Sequence, residues 1–204
     1  MSGIIAENSG RHTGLVKAGG AGGVWNLILT QTASASATID FTSGINSTYD
    51  EYVFQFINIH AETDGAKFQF QGDTGTNTSY NQSITSTNWR SYHSESGSYS
   101  GAGYIAGGDQ ANGTAFQILT EDAQGADADQ TLSGTLKIFA PASGTYVKHF
   151  LADSITCKNS GGQIYIIDAH VAGYFNLTTA LTRFQFKMDT GDIDAGTISL
   201  YGIS

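Results

Sequence analysis

From Val24 to the C-terminus the chain alternates apolar and polar residues with a period of two, the signature of half-buried β-strands. Trp25–Thr32 (WNLILTQT) is apolar enough for a strand. Ser34–Phe41 alternates, with Ala35, Ala37, Ile39 and Phe41 on one face. Glu51–His60 (EYVFQFINIH) is apolar on both faces and reads as a central strand. Lys67–Gln71, Leu132–Phe139, Tyr146–Thr156, Gln163–Phe175, Leu181–Met188 and Thr197–Ile203 follow, giving about nine strands. No helical pattern separates them, which excludes a βαβ organisation; one short helix is expected around 110–120 (QANGTAFQILT). The expected fold is therefore all-β, an antiparallel β-sandwich of jelly-roll type with about eight or nine strands.

Composition agrees with that fold. Charged residues are 13% of the chain and Gly contributes 26 residues, so strong helix formers are scarce. Aromatic residues make up 11% and run through most of the sequence, which excludes a disordered chain. Nine Lys and Arg against 18 Asp and Glu give a net charge of −9, and the basic residues are scattered. Nucleic acid and anionic membrane surfaces are thus not expected partners, since both need concentrated positive charge. No apolar run is long enough to cross a bilayer as a helix, and no signal-peptide pattern opens the chain. The single Cys157 forms no internal disulfide, so a reducing cytoplasm suits the fold.

Residues 1–18 (MSGIIAENSGRHTGLVKA) differ from the rest, and GGAGG at 19–23 reads as a hinge. The expected organisation is an extended N-terminal arm with its hinge over 1–23, then a β-domain over 24–204. In the arm, Ile4, Ile5, Leu15 and Val16 offer apolar contact, and Arg11 and Lys17 can meet acidic groups.

Few patterns suggest chemistry. F-Q-F occurs at 54–56, 68–70 and 184–186, and the last two run into Asp73-Thr74-Gly75 and Asp189-Thr190-Gly191. Aspartic proteases pair two such Asp residues around one proton, but here Asp192 follows the second motif and disturbs that arrangement. The expectation is instead that Phe fills the core, Gln faces water, and Asp-Thr-Gly turns the chain. The five His residues show no paired metal spacing. Asp189, Asp192 and Asp194, and the group Glu121, Asp122, Asp127 and Asp129, are weak calcium candidates. His149 and His170, inside apolar strands, are expected to be packed and hydrogen-bonded. Cys157, although beside Lys158, is expected to be inert. No nucleophile elbow or phosphate loop is present, so neither enzymatic activity nor a cofactor is expected.

The stretch 72–113 is rich in Gly, Ser, Thr and Asn, interleaved with Tyr80, Trp89, Arg90, Tyr92, His93, Tyr99 and Tyr104. It either hides one or two edge strands or forms a surface for a ligand or a second subunit. Its composition is that of a binding paratope, and aromatic rings suit sugar stacking.

The opening SGIIAENSGRHTGLVKA, the block QTASASATIDFTSGINSTYDEYVFQFINI, the turn FQGDTGTNTSYN and the closing FKMDTGDIDAGTISLYGI resemble a family of small structural proteins of tailed phages, frequent in marine and cyanobacterial phages. The resemblance covers most of the chain; the arm and the terminal L-Y-G-I carry it most specifically. It implies a non-enzymatic β-sandwich in the virion, assembled in the host cytoplasm. The leading expectation is a capsid decoration protein docked through its arm on the major capsid protein or a tail component, as a homo-oligomer, favourably a trimer. The alternative is a tail fibre or adaptor, or a component binding host-surface glycans through the 72–113 aromatics.

Overall fold

The structure is a computed structural model that describes residues 24–120 and 124–204. Twelve strands form two facing sheets, and every pairing is antiparallel. The strands are β1 (Trp25–Ser36), β2 (Ile39–Phe41), β3 (Glu51–Ala61), β4 (Phe68–Thr74), β5 (Ile84–Ser94) and β6 (Ser100–Tyr104). They continue as β7 (Gln117–Ile118), β8 (Leu132–Phe139), β9 (Lys148–Ser160), β10 (Gln163–Phe175), β11 (Leu181–Met188) and β12 (Ile193–Ile203).

The large sheet has the order β1-β12-β3-β8-β9-β10-β5-β6, and the small one β2-β11-β4-β7. Four pairs disclose how the chain is wound: β2–β11, β3–β8, β4–β7 and β5–β6. Together they are one long antiparallel ribbon whose four pairs fall in alternate sheets as it rolls up. That is a jelly roll. The β9–β10 hairpin is inserted between β8 and β5, and β12 with β1 extends the large sheet beyond β3. Gly161 and Gly162, both at positive φ, make the tight turn of that hairpin.

The core is aromatic. All six Phe residues of the three F-Q-F segments are buried, and Phe41, Phe150 and Phe175 join them. Phe186 lies among Phe41, Phe54, Phe56, Phe68 and Phe70, with ring centroids 5.0–6.3 Å away. Phe therefore fills the core as its spacing predicts. The Gln residues divide. Gln55 and Gln185 are half-exposed, but Gln69 is buried and donates to the Met188 carbonyl. Gln71 is buried too and donates to the carbonyls of Gln82 and Ala115, because chain from two loops lies over β4.

Other expectations are also corrected. Segment 34–41 is not one strand: β1 ends at Ser36, Ala35 takes a positive φ of 46°, and β2 begins in the other sheet. Ala35 and Ala37 are consequently exposed, and only Ile39 and Phe41 reach the core. No helix forms at 110–120; Gln117 and Ile118 pair with β4 instead. The 72–113 stretch contains β5 and β6, of which only β6 is at an edge.

Candidate functional site

Strand alternation fixes which side chains share the outer face of the large sheet, the side away from the small sheet. On β10, Ile167, Ala169 and Val171 are buried, whereas Ile166, Asp168 and His170 point outward. Register then sets their neighbours. His170 lies opposite Trp89 of β5 and Asp153 of β9; Trp89 lies opposite Tyr104 of β6, and Asp153 opposite Thr135 of β8. One row thus reads Tyr104, Trp89, His170, Asp153, Thr135 across five strands. The next reads Ala102, Ser91, Asp168, Ile155, Ser133.

An acid–imidazole–acid group lies at the centre. His170 Nδ1 is 2.6 Å from Asp153 Oδ1, and Nε2 is 3.1 Å from Asp168 Oδ2. Both nitrogens face acceptors, so the imidazolium, which donates from both, suits the site. The bond to Asp153 is the main cause that raises the His170 pKa above its usual value, with Asp168 adding to it and partial burial opposing it. Ser91 Oγ donates to Asp168 at 3.5 Å. Around this group Trp89, Tyr104, Leu151, Ile155 and Ile166 are exposed. Two shallow depressions, of about 290 and 140 Å³, share Asp168 as a wall.

The aromatic residues singled out from 72–113 do not form one surface. Trp89, His93 and Tyr104 are on the outer face. Arg90 and Tyr92 have the opposite parity; the Arg90 guanidinium stacks 4.9 Å from the Tyr92 ring, which packs near Tyr165. Tyr99, exposed in the β5–β6 turn region, lies near the same Tyr165. Tyr80 is buried, and its hydroxyl donates to Asp40 at 3.2 Å. Desolvation, reinforced by Asp40, pushes the Tyr80 pKa up to about 12.

The two Asp-Thr-Gly motifs sit at opposite ends of the β4–β11 pair, since Thr74 is opposite Leu181 and Phe68 opposite Met188. At about 3.4 Å per residue their carboxyls are on the order of 20 Å apart, so no shared proton is possible. Asp73 is wholly buried and accepts from the Thr74 and Tyr80 amides and from Gln82 Nε2, each at 2.8 Å.

The calcium candidates are likewise dispersed. Asp189 accepts from the Lys67 amide at 2.7 Å, Asp194 pairs with His60 at 3.2 Å, and the Asp192 amide donates to Glu62 at 3.1 Å. Among the described residues no group of three or more His, Cys, Asp or Glu is placed to hold a metal. Asp127 bonds Gln130, while Glu121 and Asp122 lie outside the described residues. The arm residues Ile4, Ile5, Arg11, Leu15, Val16 and Lys17 also lie outside them.

His149 and His170 are exposed on the outer face, contrary to the expectation that both are packed. The alternation that buries Ile167, Ala169 and Val171 turns Asp168 and His170 to solvent, and D-x-H within an apolar strand was the signal for it. Cys157 is half-buried, and burial, Asp129 and Glu95 all raise its pKa, away from the reactive thiolate. Comparison of the chain with known protein families, with curated proteins and with solved structures returns no match.

Proposed function

We propose that this chain is a non-enzymatic structural protein of a phage virion, an outer-surface capsid decoration protein docked through residues 1–18. The observation that carries the reading is the fold: residues 24–120 and 124–204 build a two-sheet antiparallel jelly roll, the architecture that the resemblance to phage structural proteins implies and one that virus shells use. The arm motif and the terminal L-Y-G-I, which carry the resemblance to phage structural proteins, support it. Val24, Trp25 and Leu27, at and just before the start of β1, are exposed apolar side chains that a docking partner would cover. Self-association, as a trimer, belongs to the same reading.

The test is truncation. A chain lacking residues 1–18 should keep its β-sheet spectrum and cooperative unfolding but no longer join particles. Incorporation of the truncated chain at the full-length level overturns arm docking.

One observation favours a second reading, a tail component that binds host-surface glycans. Trp89 and Tyr104 are cross-strand neighbours, 49% and 51% exposed, on an open sheet face. Rings at that exposure are available to a ligand rather than to the core.

A further inference from the structure

We propose that the outer face of the large sheet, along the row Tyr104–Trp89–His170–Asp153, binds a neutral carbohydrate chain. The proposal deepens the second reading above and rests on it. It assigns the site to β9 and β10 as much as to the aromatic stretch.

The flanking side chains leave the Trp89 ring open. Its outward neighbours along β5 are Thr87 and Ser91, and β6 contributes Ala102 beside it. None of these is large enough to cover an indole. The Tyr104 hydroxyl donates to Asp109, which ties down the end of that side chain. The apolar C–H face of a sugar ring stacks on such a pair, and the hydroxyls at its rim then need acceptors. Asp153 and Asp168 supply them. Their side chains are 62% and 44% exposed, so each keeps lone pairs for a ligand while holding His170. Ser91, Thr135 and Ser133 add hydroxyls in the same two rows.

Charge selects the kind of sugar. Two carboxylates face one imidazole, and the protein carries −9 overall. A sulfated or uronic acid polymer is repelled; a neutral one donates hydrogen bonds without that cost. Shape selects a chain over a small molecule. The depressions on either side of Asp168 are shallow; they run beside the Trp89–His170 row, along the adjoining row of Ser91, Asp168 and Ser133, and together they cross β8, β9, β10 and β5. At about 4.8 Å per strand this is a track of roughly 14 Å. A protein partner fits less well. Leu151, Ile155 and Ile166 are separated by Asp153, Asp168 and His170, so covering them buries two carboxylates, which is costly.

The experiment is affinity electrophoresis of the full chain in native gels containing dextran, α-mannan or galactan, with dextran sulfate as the anionic control. Fluorescence of the Trp25→Phe chain, whose remaining indole is Trp89, reports contact directly. We expect retardation by at least one neutral polymer and a fluorescence change with the same polymer. Trp89→Ala should weaken binding by at least about tenfold, equivalent to roughly 1.4 kcal/mol. Asp168→Asn should weaken it severalfold, and Tyr99→Ala should leave it unchanged, with unfolding midpoints confirming that each variant is folded. Binding that survives Trp89→Ala but falls in Tyr92→Ala or Tyr99→Ala overturns this site while the glycan reading stands. Retardation by no neutral polymer, or by dextran sulfate alone, overturns both. A self-associated chain that Trp89→Ala dissociates also overturns the proposal, since the face is then a subunit contact.

Discussion

Phe186→Ala probes the packing that holds the two sheets together. Phe186 is fully buried on β11 of the small sheet. It contacts Phe54 and Phe56 of the large sheet, Phe68 and Phe70 of β4, and Phe41 of β2. A buried Phe→Ala change costs about 3–5 kcal/mol, and the upper half applies where rigid surroundings cannot collapse into the cavity. Here five rings from three strands border the hole, each fixed by its strand, so we expect about 4 kcal/mol. For a chain of this size that lowers Tm by roughly 8–16 °C. Phe116→Ala is the control: half-exposed, with the Lys187 ammonium over its ring and Tyr80 tilted beside it, it should cost about 1 kcal/mol. Urea unfolding followed by tryptophan fluorescence and far-ultraviolet dichroism measures both. Equal losses in the two variants, or a loss under about 2 kcal/mol for Phe186→Ala, refute a Phe-centred core.

Asp73→Ala leaves three N–H donors without their acceptor and should destabilise by about 3 kcal/mol, with Asp73→Asn recovering part of it; chemical denaturation decides. The His170 imidazole should titrate above 6.5 by NMR, and Asp153→Asn should bring it down. Because the folded pKa is raised, the stabilisation from this group is complete below pH 6.5 and is lost as pH rises through the folded value; at half exposure the effect is small. A pH-independent difference between the native chain and His170→Gln contradicts that linkage. Cys157 should react with Ellman's reagent at pH 8 several times more slowly than a free thiol and recover the free rate in urea, and equal rates in the folded chain count against its burial.

Much of the fold is legible because strand periodicity is a local property. The alternation in 132–139, 163–175 and 181–188 sets strand position and inward face directly, and the F-Q-F spacing places six core rings. What periodicity cannot carry is the crossing between sheets. Ser34–Phe41 alternates without a break, yet the chain leaves one sheet and enters the other between Ser36 and Ile39. β5 and β6 are hidden by their composition. Asn and Gly are poor strand formers and the many small polar residues blur the apolar alternation, and β5 is held by pairing with β10 along its whole length. The candidate site was half visible. Trp89 and Tyr104 stand out among small polar residues, but Asp153, Asp168 and His170 sit on distant segments that only register brings beside them.

The proposed virion role is tested most directly by looking for the chain on purified tailed-phage particles from the source that carries its gene, using gold-labelled antibody and electron microscopy. The account predicts gold distributed over the outer surface of the head. Unlabelled intact particles, with the protein also missing from their mass spectra, contradict it.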